Sequence, residues 1–137
     1  MTFELKAHTA DIAVEATGGT LSETFESAAG GLSAAHCESI PEGGDRFRMS
    51  VAAESREALL FDFLDELIYQ RDVRNVLPTD HRVSIDDSDG GGLLLEATAR
   101  GVPIEGIDAR EIKAVTYSEM ALERTSTGWR AYVVFDV

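Results

Sequence analysis

The final ten residues alternate to the end of the chain, and they limit the fold more than any other feature. In Gly128-Trp129-Arg130-Ala131-Tyr132-Val133-Val134-Phe135-Asp136-Val137, Trp129, Ala131, Val133 and Phe135 alternate with Arg130, Tyr132, Val134 and Asp136. Period-two spacing is the pattern of a strand with one face in a core. Chain ends are usually loose and polar; this one is expected to be pinned in a sheet. Pinning would hold the Asp136 carboxylate, a backbone carbonyl and the carboxylate of Val137 within a few ångströms of one another. Hard oxygens on a rigid element suit a hard cation such as Ca²⁺ or Mg²⁺.

Upstream, residues 3–6 and 10–17 read as extended, with Ile12, Val14 and Ala16 alternating with Asp11, Ala13 and Glu15. After the Gly18-Gly19 turn, Thr20-Leu21-Ser22-Glu23 forms a capping box. Leu21, Phe25, Ala28, Ala29, Leu32 and Ala35 then recur at helical spacing. Gly30-Gly31 costs this helix about 1 kcal/mol per glycine, which points to close packing or a soft C-terminal half. Residues 41–45 read as a loop. Phe47, Met49 and Val51 alternate as a strand. Ser55 is placed to cap a second helix, with Glu57 in its first turn. Leu59, Leu60, Phe63, Leu64, Leu67 and Ile68 are its apolar stripe, and Asp62, Asp65 and Glu66 a solvated face.

Leu77-Pro78 reads as the end of that region. Strands are expected at 81–85 and 93–102, joined by an Asp/Gly-rich hairpin turn at 86–92. A connection at 103–110 leads to a last hairpin of 111–124 and 128–136 around Ser126-Thr127. Closed tightly, that hairpin sets Asp136 opposite Tyr117, with Lys113 and Val115 on the same strand face; a bulge would shift the register. The fold class is α+β: a largely antiparallel sheet with two helices on it, in one domain spanning residues 1–137.

Acidic residues number 25 and basic ones 12, a net charge of −13, and only Lys6 and Lys113 are lysines. With 44% hydrophobic residues the chain is not a disordered polyanion. A folded, acidic, lysine-poor surface is expected of a protein adapted to high salt, where self-repulsion is screened. The same balance argues against strong, phosphate-driven nucleic-acid binding, so any RNA link is expected to run through a protein partner. With no run of 18 apolar residues and no signal-peptide pattern, the expected location is cytoplasmic, away from membranes. The lone cysteine, Cys37, excludes an internal disulfide and reads as a small apolar residue near a helix end.

Familiar chemical motifs are missing. Residues 86–92 lack the acid spacing of a calcium loop. The Gly-Gly pairs are not followed by the Lys-Ser/Thr of a phosphate loop. His8, His36 and His81 show no ligand spacing, and His36 and His81 read as ordinary surface or boundary residues. Asp11, in His8-Thr9-Ala10-Asp11, reads by itself as a turn-capping residue at the entry to a strand.

Taken together, His8-Thr9-Ala10-Asp11, Leu59-Leu60-Phe61-Asp62-Phe63-Leu64-Asp65-Glu66-Leu67, Glu111-Ile112-Lys113-Ala114-Val115-Thr116-Tyr117 and the closing 128–137 block resemble the archease family. The likeness covers nearly the whole chain. It implies a non-catalytic protein cofactor of the GTP-dependent tRNA-splicing RNA ligase, which joins 2′,3′-cyclic phosphate or 3′-phosphate ends to 5′-hydroxyl ends. Archeases promote guanylylation of the ligase's active-site histidine, allow multiple turnovers and broaden nucleotide use. The resemblance also implies a metal site of Asp11, Asp136 and Val137, the last through a carbonyl oxygen. Calcium is the expected ion, with magnesium and manganese as alternatives. Many members carry histidine where this chain has Ser118. Two other readings are a general chaperone or modulator of RNA-modifying enzymes, and a small metal-dependent phosphoesterase using the same carboxylates.

Overall fold

A computed structural model describes residues 2–7, 11–87 and 92–137. His8, and most of the hairpin turn expected at 86–92, lie outside the described residues. The elements run β1 (Thr2–Ala7), β2 (Asp11–Gly18), α1 (Leu21–His36), β3 (Asp45–Ala53), α2 (Arg56–Arg74), β4 (Val76–Asp87), β5 (Leu93–Pro103), β6 (Ala114–Thr125) and β7 (Gly128–Asp136). The fold class is the expected α+β, with antiparallel pairing throughout.

The described residues form two sheets where one was expected. The first has the order β1-β2-β7-β6 and the second β3-β5-β4. Packing explains the division. One main core contains Val14, Val133 and Phe135 of the first sheet, Phe47, Met49 and Leu95 of the second, and Phe25 and Phe63 of the helices. α1 touches β2 and β4, and α2 touches β6 and β3, so each helix bridges the two sheets. Two separate inner faces bury helices that a single sheet would leave half-covered.

Local chemistry sets the helix starts as expected. Thr20 Oγ1 accepts from the Glu23 amide at 3.1 Å, and Ser55 Oγ from the Ala58 amide at 3.1 Å. Close packing explains Gly31: a Cβ there would lie 2.4 Å from a Val14 methyl group. At Gly128 (φ 147°) a Cβ would meet the Gly18 carbonyl oxygen at 2.1 Å, so glycine allows β7 to start against the end of β2.

Pro78 does not end an element; it lies inside β4. β4 is an edge strand, where a missing backbone donor is tolerated. A register shift between Thr79 and Arg82 marks a bulge there. Residues 111–113 precede β6 rather than belonging to it. A second small cluster of Cys37, Leu77 and Val102, flanked by Ile40 and Ile107, packs the 37–44 loop on the second sheet's other face. Among the described residues no helix is long and apolar enough to cross a membrane.

Candidate functional site

β2 begins with Asp11 and β7 ends with Asp136, and the antiparallel register sets the two directly opposite each other. Directly opposed residues have Cα atoms about 4.5–5.5 Å apart and share a sheet face. That face carries Ala13 and Val134 in the next row, while the opposite face, with Val14, Val133 and Phe135, is in the core. Asp11 is half-buried and Asp136 exposed. Like charges in this relation cost a sheet up to about 1 kcal/mol.

The end of the chain is held from two sides. The Asp136 carbonyl oxygen accepts from the Lys113 amide at 2.8 Å. Val137 is half-buried against the main core, so the expected pinning is found. Among the described residues no group of three or more His, Cys, Asp or Glu side chains converges. The pair therefore offers two carboxylates with backbone oxygens beside them. Such an all-oxygen donor set fits a hard divalent cation and not one that prefers thiolate.

The partner of Asp136 on β6 differs from expectation: it lies opposite Ala114, not Tyr117. From Thr125↔Gly128 to Ala121↔Tyr132 the hairpin is tight, but between Thr116 and Ala121 the register shifts. Residues 117–120 form that irregularity, with Glu119 in the left-handed region at φ 61°. Tyr117 thereby turns onto α2, where its ring stacks on Phe61 with centroids 4.0 Å apart and planes 2° from parallel. Lys113, expected to share a strand face with Tyr117, lies before the strand instead.

The histidines also differ from expectation. His36 is buried, not a boundary residue. Its Nδ1 lies 2.9 Å from the Leu32 carbonyl oxygen, and its Nε2 accepts from the buried Arg71 guanidinium at 2.8 Å. The same Arg71 nitrogen donates to the Ile112 carbonyl at 2.7 Å. This network ties the ends of α1 and α2 to the segment leading into β6. Burial first, and then the Arg71 charge, lower the His36 pKa; the Leu32 hydrogen bond opposes them. His81 is half-buried, but its Nδ1 is enclosed without a partner among the described residues, and its Nε2 lies 2.7 Å from Ser33 Oγ. Burial pushes its pKa down to about 4. No spacing signal could have paired His36 with Arg71, 35 residues on.

On α2, Asp62 and Asp65 are exposed, and Glu66 accepts from Gln70 at 2.7 Å, as a solvated acidic face should. Cys37 follows the last residue of α1 and is buried, as expected.

The sequence matches the Archease protein family over residues 3–137. The protein archease of Methanosarcina acetivorans is 35% identical, the match covering 98% of this chain and 95% of that protein. That of Pyrococcus furiosus is also 35% identical, over 95% of this chain and 94% of the relative. The solution structure of Methanobacterium thermoautotrophicum protein 1598 superposes with a TM-score of 0.87 at 36% identity, covering 98% of both chains. The crystal structure of a Thermotoga maritima archease, described as a possible chaperone, gives 0.66 at 25% identity, over 96% of this chain and 94% of that one.

Proposed function

This chain belongs to the archease family, which supports a protein cofactor or chaperone role, and from that premise we propose that it activates a GTP-dependent tRNA-splicing RNA ligase. It acts as a non-catalytic partner in the cytoplasm, promoting guanylylation of the ligase's active-site histidine so that the enzyme turns over many times and uses a broader range of nucleotides. The observation that carries this reading is the direct Asp11↔Asp136 pairing. The two positions that the family resemblance assigns to a metal lie side by side although they are far apart in sequence.

Asp11 and Asp136 would hold a divalent cation, calcium in the first instance, with the backbone of Val137 beside them. When bound, such an ion supplies positive charge that can be presented to a triphosphate. The protein's own contribution is positional. β2 and β7 hold the carboxylates on a rigid sheet, the Lys113 amide anchors Asp136, and Val137 packs on the core.

The test is ligase guanylylation with GTP and catalytic amounts of this protein, with and without chelator. Metal-dependent stimulation through many turnovers is expected, and Asp11→Ala or Asp136→Ala should abolish it while the fold persists. Variants that still activate fully would exclude the metal role; no stimulation of a matched, active ligase would exclude the activator role. The chaperone reading draws on the Thermotoga maritima relative, which is described as a possible chaperone. Suppressed aggregation of unrelated clients without any ligase effect would favour it.

A further inference from the structure

We propose that the solvent face of the β3-β5-β4 sheet binds the phosphodiester backbone of a nucleic-acid strand through Arg48, Arg82 and Thr98. The inference does not depend on the metal site or on the ligase reading. It starts from where a strongly acidic chain puts its few cations. Of ten arginines, Arg46, Arg48, Arg82 and Arg100 project from this one face.

The register orders them in two rows. Arg48 of β3 and Arg82 of β4 flank Thr98 of β5, and in the next row Arg46 flanks Arg100. Neighbouring strands lie about 4.8 Å apart and alternate residues of a strand about 6.8 Å apart, so the Cα atoms of Arg48 and Arg82 are roughly 10 Å apart across the sheet. A shallow depression of about 460 Å³ lies here, lined by Arg48, Ser50, Arg82, Ser84, Glu96 and Thr98 among others.

The state of these side chains favours an anionic ligand. Arg48 and Arg82 are exposed, and among the described residues neither has an ion-pair partner. Most arginines elsewhere are engaged: Arg130 with Glu15 and Glu123, Arg71 with His36, Arg74 with Gln70, Arg56 and Arg124 over Trp129. Arg110, away from this face, is exposed and its side chain has no partner among the described residues. Arg46 is held by Asp80 at 2.5 Å and donates to Thr98 Oγ1 at 2.8 Å. The Thr98 hydroxyl is thus used as an acceptor, which leaves its proton to donate outward. Arg100 is fixed by the Gly43 carbonyl at 2.6 Å, at the border with the small cluster around Leu77. Glu96, one row beyond Thr98 between Ser50 and Ser84, bounds the cationic end.

Guanidinium and hydroxyl donors on an open surface are what phosphate contacts require. The cationic end presents no aromatic or large aliphatic side chain, and such anchors carry protein–protein interfaces. The lack of aromatics also means that bases do not stack here, so recognition is sequence-independent. The acidic remainder of the surface repels the same strand and directs it to this face. With Arg48 and Arg82 each neutralising a phosphate, binding is weak and the slope of log K against log salt is about −1.4.

The experiment is fluorescence anisotropy of a labelled single-stranded RNA with the full chain. It is run at the lowest potassium chloride concentration at which circular dichroism shows the fold intact, and then titrated with salt. Single-stranded DNA of the same sequence and polyglutamate serve as competitors. The expected result is saturable binding by both nucleic acids. Arg48→Glu/Arg82→Glu should weaken it at least ~10-fold, and Arg48→Gln/Arg82→Gln should flatten the salt slope by about 1.4. Both pairs are exposed, and each variant's fold is verified by the same spectra. Absence of RNA binding by the wild type, undiminished binding by the folded charge-reversal variant, or preferential capture of polyglutamate would each overturn the proposal.

Discussion

Acidification should destabilise this protein through His81, and the size of the effect can be worked out from its surroundings. Its Nδ1 is enclosed without a partner among the described residues, and burial lowers its pKa from 6.5 to about 4. A histidine whose folded pKa is depressed contributes stability that is present above its unfolded pKa and is lost as pH falls. Below 6.5 the unfolded chain takes a proton that the folded chain refuses until about 4. Between about pH 7.5 and pH 5 the linkage integral reaches at most about 2 kcal/mol, and solvent at the exposed edge of the ring reduces it. His36, whose pKa is lowered too, adds in the same direction.

The global charge works the other way. Protonating carboxylates relieves the repulsion of a −13 chain, so raw stability against pH mixes two opposed effects. The informative quantity is a difference of differences. Urea unfolding of wild type and His81→Leu at about pH 7.5 and pH 5 should show the wild type losing up to about 2 kcal/mol more than the variant. Ser33 Oγ keeps the Pro78 and Ala29 carbonyls as partners in the variant, so the site does not collapse for lack of a hydrogen bond. Equal pH dependence in the two proteins would refute the reasoning.

Gly31→Ala should lower the melting temperature although alanine is the better helix former. The clash with Val14 costs about 1–3 kcal/mol against a propensity gain of about 1, and Val14→Ala in the same chain should restore part of the loss in a thermal scan. Arg71→Met should cost about 2–5 kcal/mol in urea, because His36 Nε2 and the Ile112 carbonyl both lose their buried donor. Asp11→Asn should remove any calcium-dependent rise in melting temperature measured by calorimetry. We further propose that the acidic surface is an adaptation to high salt. The urea midpoint should then rise with potassium chloride; a midpoint that stays put down to very low ionic strength would exclude this.

Much was legible in the sequence where the cause is local. The Thr20 and Ser55 caps act over three residues, and both helices start there. Alternation in 128–136 requires one apolar face, and Ala131, Val133 and Phe135 are buried on it. The family resemblance named Asp11 and Asp136; their adjacency follows from the β2–β7 register, which no spacing in the sequence encodes.

What only the tertiary structure decided is everything that depends on which strands meet and in what register. The bulge at 117–120 moves Asp136 from Tyr117 to Ala114, because residues left over between two well-paired segments must leave the ladder. Two sheets form instead of one, because both helices need an inner face on each side. A sequence net charge of −13 holds no information about where the cations lie, and strand order gathers four arginines onto one face. Composition and periodicity are sums over neighbours in the chain. Charge patches and buried networks such as His36–Arg71 are made by neighbours in space.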